Sequence, residues 1–313
     1  MHAAGIDIGG TLTKIALVSA DGHIIKSERV NTVAEAGAER SFAALRPAIE
    51  AMSVAAGLPY PPPAGCGVGI PGTVDYKTGW LTESGPLRWV NVALREVAER
   101  MLGCRVAVDT DANAGALADL HWGCGRESSD LVYITWGTGI GAGLVFDRKV
   151  YHSQGGAVCN LGHAPADPAS TRACYCGCNG CLEVEAGGKA LVEQAKERLL
   201  RGAESTLQDA GDDITPEHIA RAAGLGDGLA REILDRAGML MARVLAVVMP
   251  ILTPDTIVFG GGVSACLPLA RASFDRELEG RAPNFVRHLT RITQSSFGGN
   301  AGVLGAATLV MKQ

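Results

Sequence analysis

The run Cys174-Tyr175-Cys176-Gly177-Cys178-Asn179-Gly180-Cys181-Leu182-Glu183, with Gly162-His163 shortly before it, gathers thiols, an imidazole and a carboxylate into one short span. Thiolates at the first, third and eighth positions, with one imidazole from the preceding loop, can close a tetrahedral Cys3His zinc site. A closed site leaves no position for water, so such a zinc is structural. It would hold still a loop on which His163 and Glu183 become candidates for binding a polar ligand. Cys178 is an open alternative to Cys174 or His163, although Cys176 and Cys178 flank one glycine and would crowd the metal if both ligated. Reduced, unmetallated thiols are the plain alternative.

Two further patterns point to phosphate chemistry. Gly9-Gly10-Thr11 and Gly137-Thr138-Gly139 each join two strand-like runs, without the Walker lysine pattern or a strand feeding directly into a helix. They read as hairpin turns whose glycines let backbone N–H groups approach phosphate oxygens, with threonine hydroxyls as neutral donors. Thr13 and Lys14 follow the first turn and join the phosphate candidates. Asp7 interrupts an apolar strand; a buried carboxylate is costly unless paired, so it is expected to face a cleft holding Mg2+ with its water shell. Asp111, in Asp109-Thr110-Asp111-Ala112-Asn113-Ala114, is the expected general base, because phosphoryl transfer needs a carboxylate to orient a hydroxyl and take its proton. Its ordinary alternative is a helix N-cap, and Asp109 stays open as the base. Gly260-Gly261-Gly262 is either a flexible strand exit or a flat approach for adenine or ribose.

These residues imply a duplicated scaffold. Strand, glycine hairpin and strand occur over 6–18, with a third strand over 23–30, and again over 132–145, with a third over 149–152. The repeat predicts two related domains facing each other across a cleft. A helix is predicted over 34–57, a strand over 66–70, a helix over 92–102, a strand from 105 and a helix over 115–122. Thr215-Pro216-Glu217 opens a helix ending near 224; one long helix covers 227–252, a strand 256–259, and a small-residue helix 301–311 returns to the first domain. Strands alternating with helices give an α/β class, divided into 1–113 with 301–313, and 114–300 carrying the cysteine knot.

A chain of 313 residues exceeds the usual size of one core. Its net charge of −5 and lack of a basic cluster argue against nucleic acid or an anionic membrane as partner and favour a small molecule. The apolar run over 239–252 contains Arg243 and is too short to span a bilayer. No charged segment followed by an apolar one opens the chain, and four of the nine cysteines sit in one knot, so a reducing cytoplasm is expected.

Taken together, Ile6-Asp7-Ile8-Gly9-Gly10-Thr11, Gly69-Ile70-Pro71-Gly72, Asp111-Ala112-Asn113-Ala114, Gly137-Thr138-Gly139-Ile140-Gly141, Gly162-His163, the cysteine knot through Glu183, and Gly260-Gly261-Gly262-Val263 resemble the ROK family of bacterial sugar kinases and sugar-responsive repressors. The resemblance implies two ribonuclease H-like domains of the actin, hexokinase and Hsp70 ATPase architecture around a nucleotide cleft. It implies ATP and Mg2+ as cofactors, a structural Zn2+ on His163, Cys174, Cys176 and Cys181, Asp111 as catalytic base and a homodimer. It also places Gly72, Thr110, Asn160, His163 and Glu183 on the sugar side, and Gly261 and Gly262 with the phosphate turns on the nucleotide side. The phosphate motif begins at Gly5, so the repressors' DNA-binding segment is not expected ahead of it and a kinase is the expected branch.

The departures concern the sugar. The family usually has Asn-Asp-Ala-Asn and Gly-Glu-Ile-Gly-His; this chain has Thr110-Asp111-Ala112-Asn113 and Cys159-Asn160-Leu161-Gly162-His163. Ser84-Gly85-Pro86-Leu87 also lacks the asparagine many members carry before the leucine. Losing a hydrogen-bonding partner costs about 1–3 kcal/mol per group, so glucose is expected to be a poor substrate, and an amino sugar, modified hexose or cyclitol a better one. A non-catalytic sugar sensor of the same fold is the alternative expectation.

Overall fold

The computed structural model describes residues 1–156 and 159–312. In chain order the elements are β1 (His2–Ile8), β2 (Leu12–Ser19), β3 (Ile24–Asn31), α1 (Gly37–Ala55), β4 (Cys66–Ile70), β5 (Thr73–Asp75), β6 (Trp80–Ser84), β7 (Trp89–Val92), α2 (Leu94–Leu102), β8 (Val106–Thr110) and α3 (Asp111–Trp122). There follow β9 (Leu131–Trp136), β10 (Ile140–Phe146), β11 (Lys149–Val150), α4 (Leu182–Ala186), α5 (Gly188–Leu200), α6 (Pro216–Gly224), α7 (Gly228–Leu252), β12 (Thr256–Gly260), α8 (Leu267–Arg281), α9 (Asn284–Arg287), β13 (Arg291–Gln294) and α10 (Ala301–Met311).

Two five-stranded sheets share one order, β3-β2-β1-β4-β8 and β11-β10-β9-β12-β13. In the first, the glycine hairpin makes β1 and β2 antiparallel, while β4 and β8 join in parallel through helical crossovers. The second has the matching antiparallel β10–β11 and parallel β12–β13 edges. The repeat read from the two hairpins is therefore a repeat of topology. A small antiparallel sheet, β5-β6-β7, follows β4.

The chain divides into two compact units, Met1–Tyr133 with Gly143–Cys159 and Ser295–Gln313, and Ile134–Ala142 with Asn160–Gln294. In the first, Ile6, Ile8, Ile15, Val68 and Ile70 pack with Phe42, Leu45, Ile49 and Met52 of α1. Helix α10 lies against β1 and β4 so closely that a Cβ on Gly5 or Gly67 would collide with the Val303 or Ala306 carbonyl. The small-residue composition of that helix is what permits the approach.

In the second unit α7 is the central buried helix. Asp227 caps it by accepting from Ala230 N at 3.0 Å, and Leu234, Ala237, Leu240, Met241 and Leu245 are buried along it. Arg243 within this apolar stretch is paired with Glu277 of α8 at 3.0 Å. No helix of the described residues is long and apolar enough to cross a membrane.

Some boundaries differ from those read in the sequence. Helix α3 begins at Asp111 rather than 115, because the Thr110 hydroxyl accepts from Asn113 N and starts the helix earlier. Helix α2 begins at Leu94, since Val92 belongs to β7.

Candidate active site

In the first unit the β1–β2 turn is held from below. Gly9 N donates to Leu12 O at 3.0 Å, Thr32 N to Thr11 O at 2.9 Å, and the Thr32 hydroxyl to Gly9 O at 2.8 Å. Gly10 and Thr11 remain exposed at the tip, as a phosphate-facing turn requires. Thr13 does not reach that face. It is buried, with its hydroxyl 2.8 Å from that of Thr32, so it braces the turn instead of meeting a ligand.

Asp7 and Lys14 are cross-strand partners in the β1–β2 register. Lys14 Nζ donates to the Gly299 carbonyl. Gly302 in the first turn of α10 has no Cβ where the Asp7 carboxyl group lies, and a larger residue would collide with it. Asp7 sits deep among protein atoms yet keeps an accessible edge. Burial, and after it the charge of Asp111, pushes its carboxyl up to about 7, with Lys14 opposing. A carboxylate held at such cost beside a second one is what a hydrated cation would relieve, so Asp7 fits the Mg2+ expectation.

Asp111 is the first residue of α3, and its Oδ1 accepts from Ala112 N at 2.9 Å. The capping duty belongs to Thr110, whose Oγ1 accepts from Asn113 N at 3.2 Å. The ordinary explanation for an aspartate at this corner is thus taken by its neighbour. Asp109 is fully engaged. It is buried, its Oδ1 accepts from Thr110 N and Asn113 Nδ2, both at 2.7 Å, and its Oδ2 lies 2.7 Å from His152 Nε2. With both its oxygens occupied, Asp109 braces this corner of the fold. Gly72, at the entry to β5, adopts φ +132° against the Glu83 carbonyl, a conformation that its local turn requires.

The second unit carries the other turn. Gly137 N donates to Gly139 O at 3.0 Å, and the start of α5 supports the loop through Gly188 N to Gly137 O at 2.8 Å and Lys189 N to Thr138 O at 3.1 Å. Glu183 Oε2 accepts from Ile140 N at 3.0 Å, so this carboxylate ties the knot segment to the turn. Gly261 has φ +85° and lies against the Trp136 backbone, whereas Gly262 is exposed with nothing near its missing side chain, space suited to a flat ligand. Asn160 is exposed just before the 3-10 turn Leu161–His163, and its carbonyl accepts from His163 N at 2.9 Å.

The donor atoms of His163, Cys174, Cys176 and Cys181 all lie within 4.8 Å of one another. Cys174 Sγ is 3.4 Å from His163 Nδ1 and Cys176 Sγ 3.6 Å from Cys181 Sγ. Ligands at zinc bond lengths on a tetrahedron stand about 3.4–3.8 Å apart, so the set fits the metal. Cys178 lies outside the group. His163 Nε2 is 2.9 Å from the Tyr175 hydroxyl, a contact that fixes the ring's orientation and that a sugar hydroxyl would have to share.

Tyr76, His152 and Tyr175 were not among the residues singled out in the sequence. The Tyr76 and His152 rings stack with centroids 3.7 Å apart and an interplanar angle of 16°. Neither lies in a motif, and their signal is the buried Asp109 that needs a partner.

Comparison with known proteins identifies the family. A model of the ROK family matches residues 3–313. The glucokinase of Thermotoga maritima is 30% identical, over 99% of this chain and 97% of its own. A ROK family glucokinase from Streptomyces griseus, solved in complex with glucose and AMPPNP, shares 30% identity and 99% of both chains, with a TM-score of 0.85. A ROK family transcriptional regulator, a homolog of the E. coli MLC protein, reaches the same TM-score at 25% identity, over 99% of this chain and 78% of its own. With the family pattern running from β1 to the last helix on a twice-repeated sheet, the chain belongs to the ROK family.

Proposed function

We propose that this chain is an ATP-dependent kinase that phosphorylates a hydroxyl of a sugar or sugar-like polyol, with an amino sugar, modified hexose or cyclitol favoured over glucose. The kinase reading is supported by the glucokinases it resembles over nearly its whole length, and the observation that carries it is the division of labour at β8–α3. Thr110 caps the helix, Asp109 is locked in a buried network, and Asp111, the first residue of α3, is the carboxylate proposed to orient the acceptor hydroxyl and take its proton. Gly10 and Thr11 in one turn and Thr138 in the other present exposed backbone for phosphate oxygens, and Lys14 adds a cation. Mg2+, with Asp7 as its protein anchor, would neutralise phosphate charge during transfer. Zinc on His163, Cys174, Cys176 and Cys181 would hold the segment bearing the proposed sugar contacts Asn160, His163 and Glu183. A homodimer in the cytoplasm is the proposed working form.

The preference against glucose rests on Thr110 and Asn160. The Thr110 oxygen already accepts the capping N–H, and Asn160 replaces an acceptor-only carboxylate with a group that both donates and accepts. A sugar sensor without turnover is the second reading, favoured by the likeness to a regulator. The deciding experiment is ADP release from ATP and Mg2+ over a panel of hexoses, amino and N-acetyl hexoses and cyclitols, beside Asp111→Asn. Turnover on one member that falls about 10²–10⁴-fold in the variant supports the kinase. Stabilisation by a sugar without ADP release would favour the sensor, and glucose as best substrate would overturn the specificity argument alone.

A further inference from the structure

Two thiols outside the zinc cluster and the candidate active site lie side by side in the first unit. Cys66 opens β4 and is completely buried; Cys104 lies between α2 and β8 and is half-buried. Their sulfurs are 3.4 Å apart, sharing an S–H···S contact. The backbone around them is already fastened, since Cys66 N donates to Arg105 O at 2.9 Å and Cys66 pairs with Val106 in the parallel β4–β8 register. A disulfide needs the sulfurs at about 2.05 Å, which from this starting point requires side-chain rotation and little backbone movement.

The two cysteines differ in access. A surface cavity of about 430 Å³ is lined by Pro61, Pro62, Pro63, Arg105 and the half-buried Cys104, while Cys66 is completely buried and takes no part in the lining. Their chemistry differs in the same sense. The side-chain hydrogen bond between the two thiols is the main cause holding Cys104 below the usual thiol range, and that same contact, with burial, holds Cys66 well above it. The accessible sulfur is therefore the better nucleophile and the buried one waits beside it.

We propose that Cys66 and Cys104 form an oxidisable dithiol, with Cys104 as the sulfur that reacts first, from the cavity side, and Cys66 as the resolving thiol. The oxidant is a hydroperoxide. The Cys104 thiolate attacks one peroxide oxygen, the O–O bond breaks, and hydroxide leaves, giving a sulfenic acid. The Cys66 sulfur then displaces that oxygen as water, its proton going with the leaving group, and the S–S bond forms. In sum, two thiols and one hydrogen peroxide give one disulfide and two waters. A small thiol entering by the same cavity reverses the step by attacking Cys104 and leaving Cys66 reduced, a second thiol completing the exchange. The bond would tie β4 to β8 at the ends opposite Ile70 and Thr110, so it leaves Asp111 untouched.

The test uses the zinc-loaded full chain, treated with stoichiometric hydrogen peroxide, alkylated after unfolding and mapped by mass spectrometry. The expected result is a Cys66–Cys104 linked peptide, reversed by dithiothreitol and formed about tenfold faster than Cys266 is modified, because burial pushes that thiol up to about 11. Cys66→Ala should stop at a Cys104 sulfenic acid trapped by dimedone, and Cys104→Ser should leave Cys66 alkylatable. Zinc release followed with a chelating dye separates this from damage at the cluster. If Cys174, Cys176 or Cys181 oxidise and lose zinc while Cys66 and Cys104 are still fully alkylated, the assignment is wrong.

Discussion

Asp109 Oδ2 lies 2.7 Å from His152 Nε2, joining the end of β8 to a residue 43 positions later in the chain. The contact supplies the last partner of a buried carboxylate whose other oxygen supports Thr110 and Asn113. The imidazole is in turn clamped on its face by Tyr76. Three segments thus converge on the residue two positions before Asp111.

His152→Ala should therefore act through position. Removing one partner of a buried charged group costs about 1–3 kcal/mol, and the loosened β8–α3 corner should lower kcat by about tenfold. The KM for ATP should stay close to the wild-type value, because the phosphate turn has its own supports in Thr32 and Leu12. Steady-state kinetics beside chemical denaturation check this, and loss of stability with kcat intact would reduce His152 to a packing residue.

The specificity argument has its own test. Asn160→Glu and Thr110→Asn restore the groups the family usually carries, and each should raise kcat/KM for glucose by about tenfold, the equivalent of 1.4 kcal/mol. The best non-glucose substrate should lose by a similar factor. An unchanged ratio of kcat/KM values in both variants would show that these positions do not choose the sugar.

Much of this scaffold was legible in the sequence, for definite reasons. Helix α10 occupies the residues that its unbroken small-apolar run predicted, and α6 starts after Thr215 because threonine, proline and glutamate each have one favoured place in a first turn. The two Gly-Thr turns announced the duplicated sheets because hairpin chemistry is local. What escaped was set by distant contacts. Nothing near Thr13 says that its hydroxyl belongs to Thr32, and nothing near His152 says that Asp109 needs it. The start of α3 was missed because Thr110 and Asp111 are both good caps, and only the structure assigns the duty.

The cysteine cluster separates its members by function. With zinc on the cluster as proposed, Cys176→Ser should release it, lower the thermal midpoint and abolish sugar binding before ATP binding, because the proposed ligands include His163 and end two residues before Glu183. Cys178→Ser should keep one zinc per chain, since that thiol lies outside the group. Metal analysis with thermal shift in the presence of sugar or ATP distinguishes the two, and zinc lost from the Cys178 variant would revise the ligand set.

Asp7 gives the pH dependence of the ligand-free protein. Its folded value of about 7 lies above the ordinary 3.8, so between those values the folded chain holds a proton that the unfolded chain has released. Stability contributed here is therefore greatest at low pH, declines as pH rises across that window and is level above it. Asp7→Asn removes the charge that has to be buried beside Asp111 while keeping the shape that fits against Gly302. At pH 8, without ATP or Mg2+, the variant should be more stable than the wild type by on the order of a few kcal/mol. At pH 4 the difference should nearly vanish, because wild-type Asp7 is then protonated when folded. Urea denaturation at the two pH values reads the difference directly. The same substitution should cut turnover sharply, since a neutral amide is a much weaker partner than a carboxylate for the proposed magnesium ion, and a variant less stable than the wild type at pH 8 would mean that Lys14 already outweighs the cost of burying the charge.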